Sequence, residues 1–344
     1  MTSPDRTCRG AIRLVREFED WGPTPWGAHD YPTFLGAPLA LTLDDLHTSQ
    51  PDAVVLGVPW DGTMGAPPGT RLAPAALRTA EYTGSRDGKW HHPVSRLNPL
   101  DHLDIVDFGD VPVIPGAVET SFARIRHVVR AVLETGAVPV LLGGDHAVTW
   151  PHVQALADVV GHGNVGVVHL DAHCDTWPLA PGQYTSHGAP MRQLITEGAV
   201  HGEHFVQVGL RSSTDPETHA FMRDHGMRSH WMDEIRSDGV DVVMDRAVAE
   251  VLDGPEHLFL SVDIDVCDPA FAPATGAPEP GGLTSGELLS LVGRLAREVG
   301  FAAMDLVELS PPYESGTNIT AILGHRVVVE ALTGLATRKV SLGR

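Results

Sequence analysis

Three short segments bring acids and histidines together at spacings that suit metal chemistry. They are Leu141-Leu142-Gly143-Gly144-Asp145-His146, His169-Leu170-Asp171-Ala172-His173-Cys174-Asp175 and Ser261-Val262-Asp263-Ile264-Asp265-Val266-Cys267-Asp268-Pro269. Each follows a run of aliphatic residues, so each is placed at the C-terminal end of a strand, where an open parallel sheet puts its ligand crevice. The Gly143-Gly144 pair lets the chain turn sharply and bring out His146. Side chains alternate along a strand, so Asp171, His173 and Asp175 are expected on one face; Asp263 and Asp265 share a face for the same reason. Four carboxylates and two histidines converging out of water would repel one another strongly. Two divalent cations supply +4 against the −4 of Asp171, Asp175, Asp263 and Asp265. The donors are rich in oxygen and lack thiolate, which suits Mn²⁺ better than a structural zinc site; the same ligands accept Ni²⁺, Co²⁺ or Fe²⁺. Paired ions about 3.5–4 Å apart lower the pKa of a shared water and supply hydroxide at neutral pH. Any one segment alone reads as a cap or a turn. All three, in order after three strands, do not.

The elements that must hold these segments are legible in the hydrophobic pattern. Strands are expected at 53–58, 103–106, 138–142, 165–170, 205–208, 228–232, 258–262 and 302–307. Helix-compatible stretches lie between most of them, at 121–133, 147–159, 191–197, 216–224, 243–252, 285–298 and 320–335. Such alternation predicts an α/β fold with a parallel sheet covered by helices on both faces. The pattern gives one domain over residues 53–337, an N-terminal extension over 1–52 and a tail over 338–344. Eight β/α units suit a closed barrel as well as an open sheet, and pattern alone does not separate them.

Composition narrows the class. Apolar residues make up 42% and charged residues 20% of the 344, which excludes a disordered or collagen-like chain. Lys plus Arg number 24 and Asp plus Glu 44, a formal charge of −20, so nucleic acid and anionic membranes are poor partners. Three scattered cysteines, Cys8, Cys174 and Cys267, form neither a disulfide framework nor a Cys-x-x-Cys pair, which points to a reducing compartment. The N-terminus shows no signal-peptide core, and no stretch approaches the roughly 20 apolar residues of a membrane span. A soluble, cytoplasmic protein is expected.

Gly143-Gly144-Asp145-His146, Asp171-Ala172-His173-Cys174-Asp175 and Ser261-Val262-Asp263-Ile264-Asp265 resemble the three signatures of the ureohydrolase family, which contains arginases, agmatinases and guanidino-acid hydrolases. Gly57-Val58-Pro59-Trp60-Asp61-Gly62 is similar to the family's first-strand motif, which usually has Phe at the Trp60 position. The likeness runs from about Asp52 to about Leu335. It implies a single-domain open eight-stranded sheet in three αβα layers. It also implies two Mn²⁺ per subunit, one on His146, Asp171, Asp175 and Asp263, the other on Asp171, His173, Asp263 and Asp265. His187 matches the family's proton-shuttling histidine and Glu308 the carboxylate that holds the guanidinium. Homo-oligomers, trimers or hexamers, are implied as well. A guanidinium is planar and always charged, and a carboxylate can accept two parallel N–H bonds from it, so such a clamp positions the carbon to be attacked.

Within the family the segment Arg211-Ser212-Ser213-Thr214-Asp215-Pro216 departs from the arginase pattern, and Glu279 after Pro278 resembles the agmatinase branch. The loop 176–186 is expected at the pocket mouth and carries neither a base nor an acid. Substrate contacts are expected from Glu308, His187, Glu279 and Trp177. The leading expectation is hydrolysis of a linear guanidino compound to an amine and urea, with agmatine (to putrescine) as nominal substrate. Alternatives are a guanidino-acid hydrolase for 4-guanidinobutyrate or 3-guanidinopropionate, an amidinohydrolase of a biosynthetic intermediate, and a catalytically silent metal-binding subunit. His169 reads as support or core, Cys174 as a buried small hydrophobe, and His91 with His92 as solvated loop residues.

Overall fold

The computed structural model describes residues 33–80 and 91–343. Residues 1–32 of the expected extension, with Cys8, lie outside them. Eight strands form one parallel sheet: β1 (Ala53–Gly57), β2 (Ile105–Asp110), β3 (Val138–Leu142), β4 (Val165–Leu170), β5 (Phe205–Leu210), β6 (Arg228–Trp231), β7 (His257–Asp263) and β8 (Ala303–Val307). Their spatial order is β2-β1-β3-β8-β7-β4-β5-β6, with β2 and β6 outermost and a short bridge from Leu39 to Asp107 covering part of β2. The sheet is open, so the barrel alternative falls.

Ten helices surround it among the described residues: α1 (Leu43–Ser49), α2 (Ala73–Thr79), α3 (Val118–Glu134), α4 (Thr149–Val160), α5 (Pro190–Thr196), α6 (Pro216–Asp224), α7 (Met232–Asp238), α8 (Val240–Leu252), α9 (Ser285–Glu298) and α10 (Ile319–Ser341). Strand alternation sorts the core into two layers. Ala53 and Val55 of β1 pack with α2, α8, α9 and α10, whereas Val54 and Leu56 pack with α3 and α4. Both faces are covered, which is why the strands read as unbroken apolar runs.

Three helices escape the sequence pattern, α1, α2 and α7, each only seven residues long. A stretch that short shows barely two turns of periodicity. α1 is fixed instead by a capping box, with Thr42 and Asp45 satisfying each other's backbone N–H. α10 runs through the expected tail as far as Ser341, and Lys339 Nζ reaches Asp52 at 2.7 Å. This helix is also long and apolar enough to cross a membrane, contrary to expectation, but 72% of its apolar window is buried and it lies along α9 as a core helix. His92 is not solvated: its Nε2 lies 3.0 Å from Glu330 Oε1 on α10.

Register carries the crevice. β3 pairs with β8, β8 with β7 and β7 with β4, with Leu142 opposite Leu306, Asp263 opposite Val307 and Leu170 opposite Val262. The four central strands therefore end level, and the residues that follow them emerge side by side. The chain visits β3 and β4 in succession but places β8 and β7 between them, the reversal of order at which such sheets bind ligands.

Candidate metal and substrate site

The turn after β3 has no room for side chains. A Cβ on Gly143 would press on Val307 and on Leu306 O, and one on Gly144 would overlap Trp60 O. Within that close approach Gly143 N–H donates to Leu306 O at 2.7 Å, Asp145 N–H to Trp60 O at 2.8 Å and Glu308 N–H to Gly144 O at 3.0 Å. Backbone contacts thus tie the end of β3 to the end of β8, and His146 to Glu308.

His146 is fully buried, and its Nδ1 lies 3.1 Å from Asp171 Oδ2, 2.9 Å from Asp175 Oδ2 and 3.1 Å from Asp263 Oδ2, yet it makes no hydrogen bond. The other ring nitrogen is accounted for. Nε2 lies 3.0 Å from Ser261 Oγ, whose hydroxyl donates to Asp305 Oδ1 at 2.8 Å, so Ser261 can only accept from the ring. In the neutral ring, the form that binds a metal, the proton therefore sits on Nε2 and the Nδ1 lone pair faces three carboxylates. Left so, that arrangement is repulsive. It matches neighbouring donors of a six-coordinate ion, which lie about 3 Å apart when bonds are about 2.1 Å.

A second group stands beside the first. His173 Nδ1 lies 3.0 Å from Asp265 Oδ2 and 3.5 Å from Asp171 Oδ1. Ligand-type atoms of His146, His169, Asp171 and Asp175 fall within 4.8 Å of one another, and so do those of Asp171, His173 and Asp265. Asp171 belongs to both groups, so the cluster fits a binuclear metal site. His169 is a donor to it: Gln207 Nε2–H points at His169 Nδ1 across 3.1 Å, which leaves the Nε2–H to reach Asp171 Oδ2 at 2.7 Å.

The route to convergence differs from strand alternation. β4 stops at Leu170, so 171–175 is loop, and Asp175 turns back with φ of +50°. Asp263 closes β7, while Asp265 lies in the single 3₁₀ turn Ile264–Val266, where its N–H donates to Asp263 Oδ1 at 2.9 Å. A left-handed backbone on a non-glycine residue is costly and concentrates at working sites. Glu308 shares it, with φ of +62°.

The electrostatics ask for cations. Burial and then the charges of Asp265 and Asp171 hold the Asp263 carboxyl well above the usual range, and burial with Asp171 pushes Asp265 up to about 6. Burial opposes ionisation of Asp171 too, but His169 and the hydrogen bonds of His146 and His173 hold it well below. Burial lowers and Asp175 and its neighbours raise His146, with a net shift well upward.

Glu308 and His187 face this cluster from the next strand and loop. Glu308 Oε1 accepts from His146 N–H at 2.9 Å and lies 3.3 Å from His187 Nδ1. Its Oε2 has no partner although the residue is only 3% exposed. Gly65 N–H points at His187 Nε2 across 3.0 Å, so in the neutral ring the lone pair sits there and the proton on Nδ1. Burial pulls the His187 imidazole down, but the hydrogen bond and charge of Glu308 prevail and raise it to about 9. Asp145, pushed up to about 7 by burial and Glu308, accepts from Thr63 N–H at 2.9 Å and from its hydroxyl at 2.6 Å. The loop after β1 is thereby held over the site. Thr63 and Gly65 were invisible to motif reasoning because the groups that reach His187 are their backbone atoms.

The remaining expected contacts divide. Glu279 reaches the cluster edge, its Oε1 4.0 Å from His173 Nε2 and 3.3 Å from Ser212 Oγ. Trp177 is partly buried and packs beside Cys174, Leu210 and Met222. Asp215 caps α6 through Thr218 N–H at 2.7 Å. Cys174 and Cys267 are buried and free, and burial pushes the Cys267 thiol up to about 12.

An open αβα sheet with paired His/Asp groups at its central crevice defines a binuclear metallohydrolase. The Arginase family model matches residues 51–334, and the chain belongs to that family. It is 39% identical over 320 residues to a guanidinopropionase of Pseudomonas aeruginosa, covering 91% of this chain and 96% of that protein. A hypothetical agmatinase from Burkholderia thailandensis superposes with a TM-score of 0.81 at 29% identity, over 96% of this chain and 98% of that one. Proclavaminate amidino hydrolase from Streptomyces clavuligerus gives 0.79 at 34% identity, over 90% and 98%.

Proposed function

We propose that the chain hydrolyses agmatine, or a guanidino compound with a similarly cationic tail, to an amine and urea. The observation that carries the reading is Glu308 Oε2, a buried acceptor with no partner beside the His/Asp cluster. A guanidinium offers the charged N–H donors such an oxygen lacks. His146, Asp171, Asp175 and Asp263 would hold one ion; Asp171, His173, Asp263 and Asp265 would hold the other. Mn²⁺ is the metal we assign, because carboxylate oxygens dominate the donors. Two bound divalent ions supply charge neutralisation and an activated water. Glu308 orients the guanidinium, and His187, one ring nitrogen from Glu308, carries a proton to the departing amine. Among the described residues Glu279 is a charged side chain at the edge of the cluster, whereas the nearby guanidinium of Arg211 is spent on carbonyl oxygens. An acid there favours a tail ending in an ammonium.

A second reading, hydrolysis of a guanidino acid, is favoured by the 39% identity to a guanidinopropionase. The two separate in one assay: urea release by Mn²⁺-loaded protein from agmatine, arginine, 4-guanidinobutyrate, 3-guanidinopropionate and guanidine. Agmatine as best substrate by kcat/KM is expected. A guanidino acid ahead of it would transfer the proposal to the second reading, and no urea from any would remove both. We place the catalytic domain at 53–337 and the protein in a reducing cytoplasm, in keeping with the buried free thiols of Cys174 and Cys267. We propose assembly as a trimer or hexamer, by the family resemblance, with light scattering as the check.

A further inference from the structure

Arg211 follows β5 and spends its whole guanidinium on backbone carbonyls from three segments. Nη2 donates to Asp265 O at 2.6 Å, Cys267 O at 3.1 Å and Glu279 O at 2.7 Å. Nη1 donates to Gly209 O and Val266 O at 3.2 Å each, and Nε is shared between Glu279 O and Pro280 O at 3.2 Å each. Its own N–H donates to Ala172 O at 3.0 Å, inside the segment that carries Asp171 and His173. Gly282 makes room for the guanidinium, and Gly209 makes room for the turn it binds. Gly209, with φ of +105°, would drive a Cβ to 2.6 Å from Val266 Cγ2, and a Cβ on Gly282 would come within 2.6 Å of Arg211 Nη2.

The consequence lies in what those carbonyls belong to. Asp265 O, Val266 O and Cys267 O are the 3₁₀ turn that aims Asp265 at His173, and Glu279 is the acid 4.0 Å from the other nitrogen of the same histidine. A guanidinium keeps its proton under all working conditions, presents a rigid fork, and here adds a fixed positive charge behind two carboxylates. His146 itself hangs on the turn after β3 and on Ser261, which the Arg211 guanidinium does not touch, and the bond from Arg211 N–H to Ala172 O is a backbone bond that outlasts a change of side chain.

We propose that Arg211 is a positioning residue that presets the His173/Asp265 half of the metal centre and locks Glu279 to it, leaving the His146 half independent. This rests on the binuclear reading above. The test is calorimetric titration of the chelator-stripped full chain with Mn²⁺, with bound metal counted by elemental analysis, on the parent, Arg211→Lys and Arg211→Met. The parent is expected to take up two ions. In Arg211→Met one of the two steps is expected to fall by at least tenfold while the other stays within about threefold. Arg211→Lys is expected to behave like Arg211→Met, because an ammonium cannot span three segments. Lys rescuing both steps would overturn the fork argument, and two unchanged steps in Arg211→Met would overturn the proposal. Equal weakening of both steps with a lowered Tm would assign Arg211 a general structural role and also overturn it. A parent that binds fewer than two ions would sink the binuclear reading itself, an outcome distinct from the others.

Discussion

Glu308 Oε1 accepts the backbone N–H of His146 at 2.9 Å, across 162 residues of sequence. One carboxylate oxygen is thereby spent on holding the metal-facing histidine's backbone, and the second is left buried and free. Glu308→Gln keeps the shape but loses the charge that a guanidinium needs. A charged hydrogen bond is worth about 1.5–3 kcal/mol, so kcat/KM is expected to fall by about 10- to 150-fold with two metals still bound. Steady-state kinetics with metal analysis checks this.

The same contact sets the ionisation of His187. Glu308 raises that imidazole from its ordinary 6.5 to about 9 against the pull of burial. A raised folded-state pKa contributes stability that is complete below about pH 6.5 and lost as pH climbs through about 9. NMR titration of the imidazole in metal-free protein should show the elevated value, and Glu308→Gln should return it toward 6.5. Catalytically, His187→Ala is expected to lower kcat by about 10²- to 10⁴-fold while both metals remain.

Ser261 fixes the tautomer of His146 from behind. Ser261→Ala would leave the buried His146 Nε2–H without its acceptor and Asp305 without one donor. Stability is expected to fall by about 1–3 kcal/mol. Metal affinity is expected to fall by about 10- to 100-fold, read by denaturant titration and by calorimetry.

Chelation is expected to destabilise the fold, because Asp171, Asp263 and Asp265 would then face one another uncompensated at the end of the central strands. Restoring Mn²⁺ at 100 times its Kd should recover about 2.7 kcal/mol per site, seen as a rise in Tm. Asp171→Ala removes the carboxylate common to both groups and should abolish tight binding of both ions.

Gly144→Ala would drive a methyl into the carbonyl of Trp60, a backbone atom that cannot rotate away. The turn after β3 or the loop after β1 must move, and each of them positions part of the site. Loss of metal binding with a Tm several degrees lower is expected. An unchanged Tm and full metal content would show that the close approach is not required.

Much of this molecule was readable before its coordinates. The strands at 138–142 and 165–170 and the helices at 216–224 and 285–298 match the structure to the residue, because long apolar runs and strong caps are local signals. Of the seven-residue helices, α5 was expected at 191–197, whereas α1, α2 and α7 gave no such signal. The acid segments converge as expected but by a different route: alternation along a strand was expected to align Asp171 with Asp175, whereas a loop with a left-handed residue brings them together.

Composition, periodicity and the three acid-rich segments determined the layer architecture and the chemistry, since residue type and spacing fix what a side chain can ligate or protonate. The hydrophobic pattern left barrel and open sheet unseparated and the family resemblance implied the open form; only the tertiary structure decided that β8 and β7 lie between β3 and β4, and that Thr63, Gly65 and Arg211 belong to the site. Those relations are made by backbone groups and by residues far apart in sequence. The hydrogen-bonding capacity of a main chain is the same at almost every position, so no local pattern reveals which groups will meet.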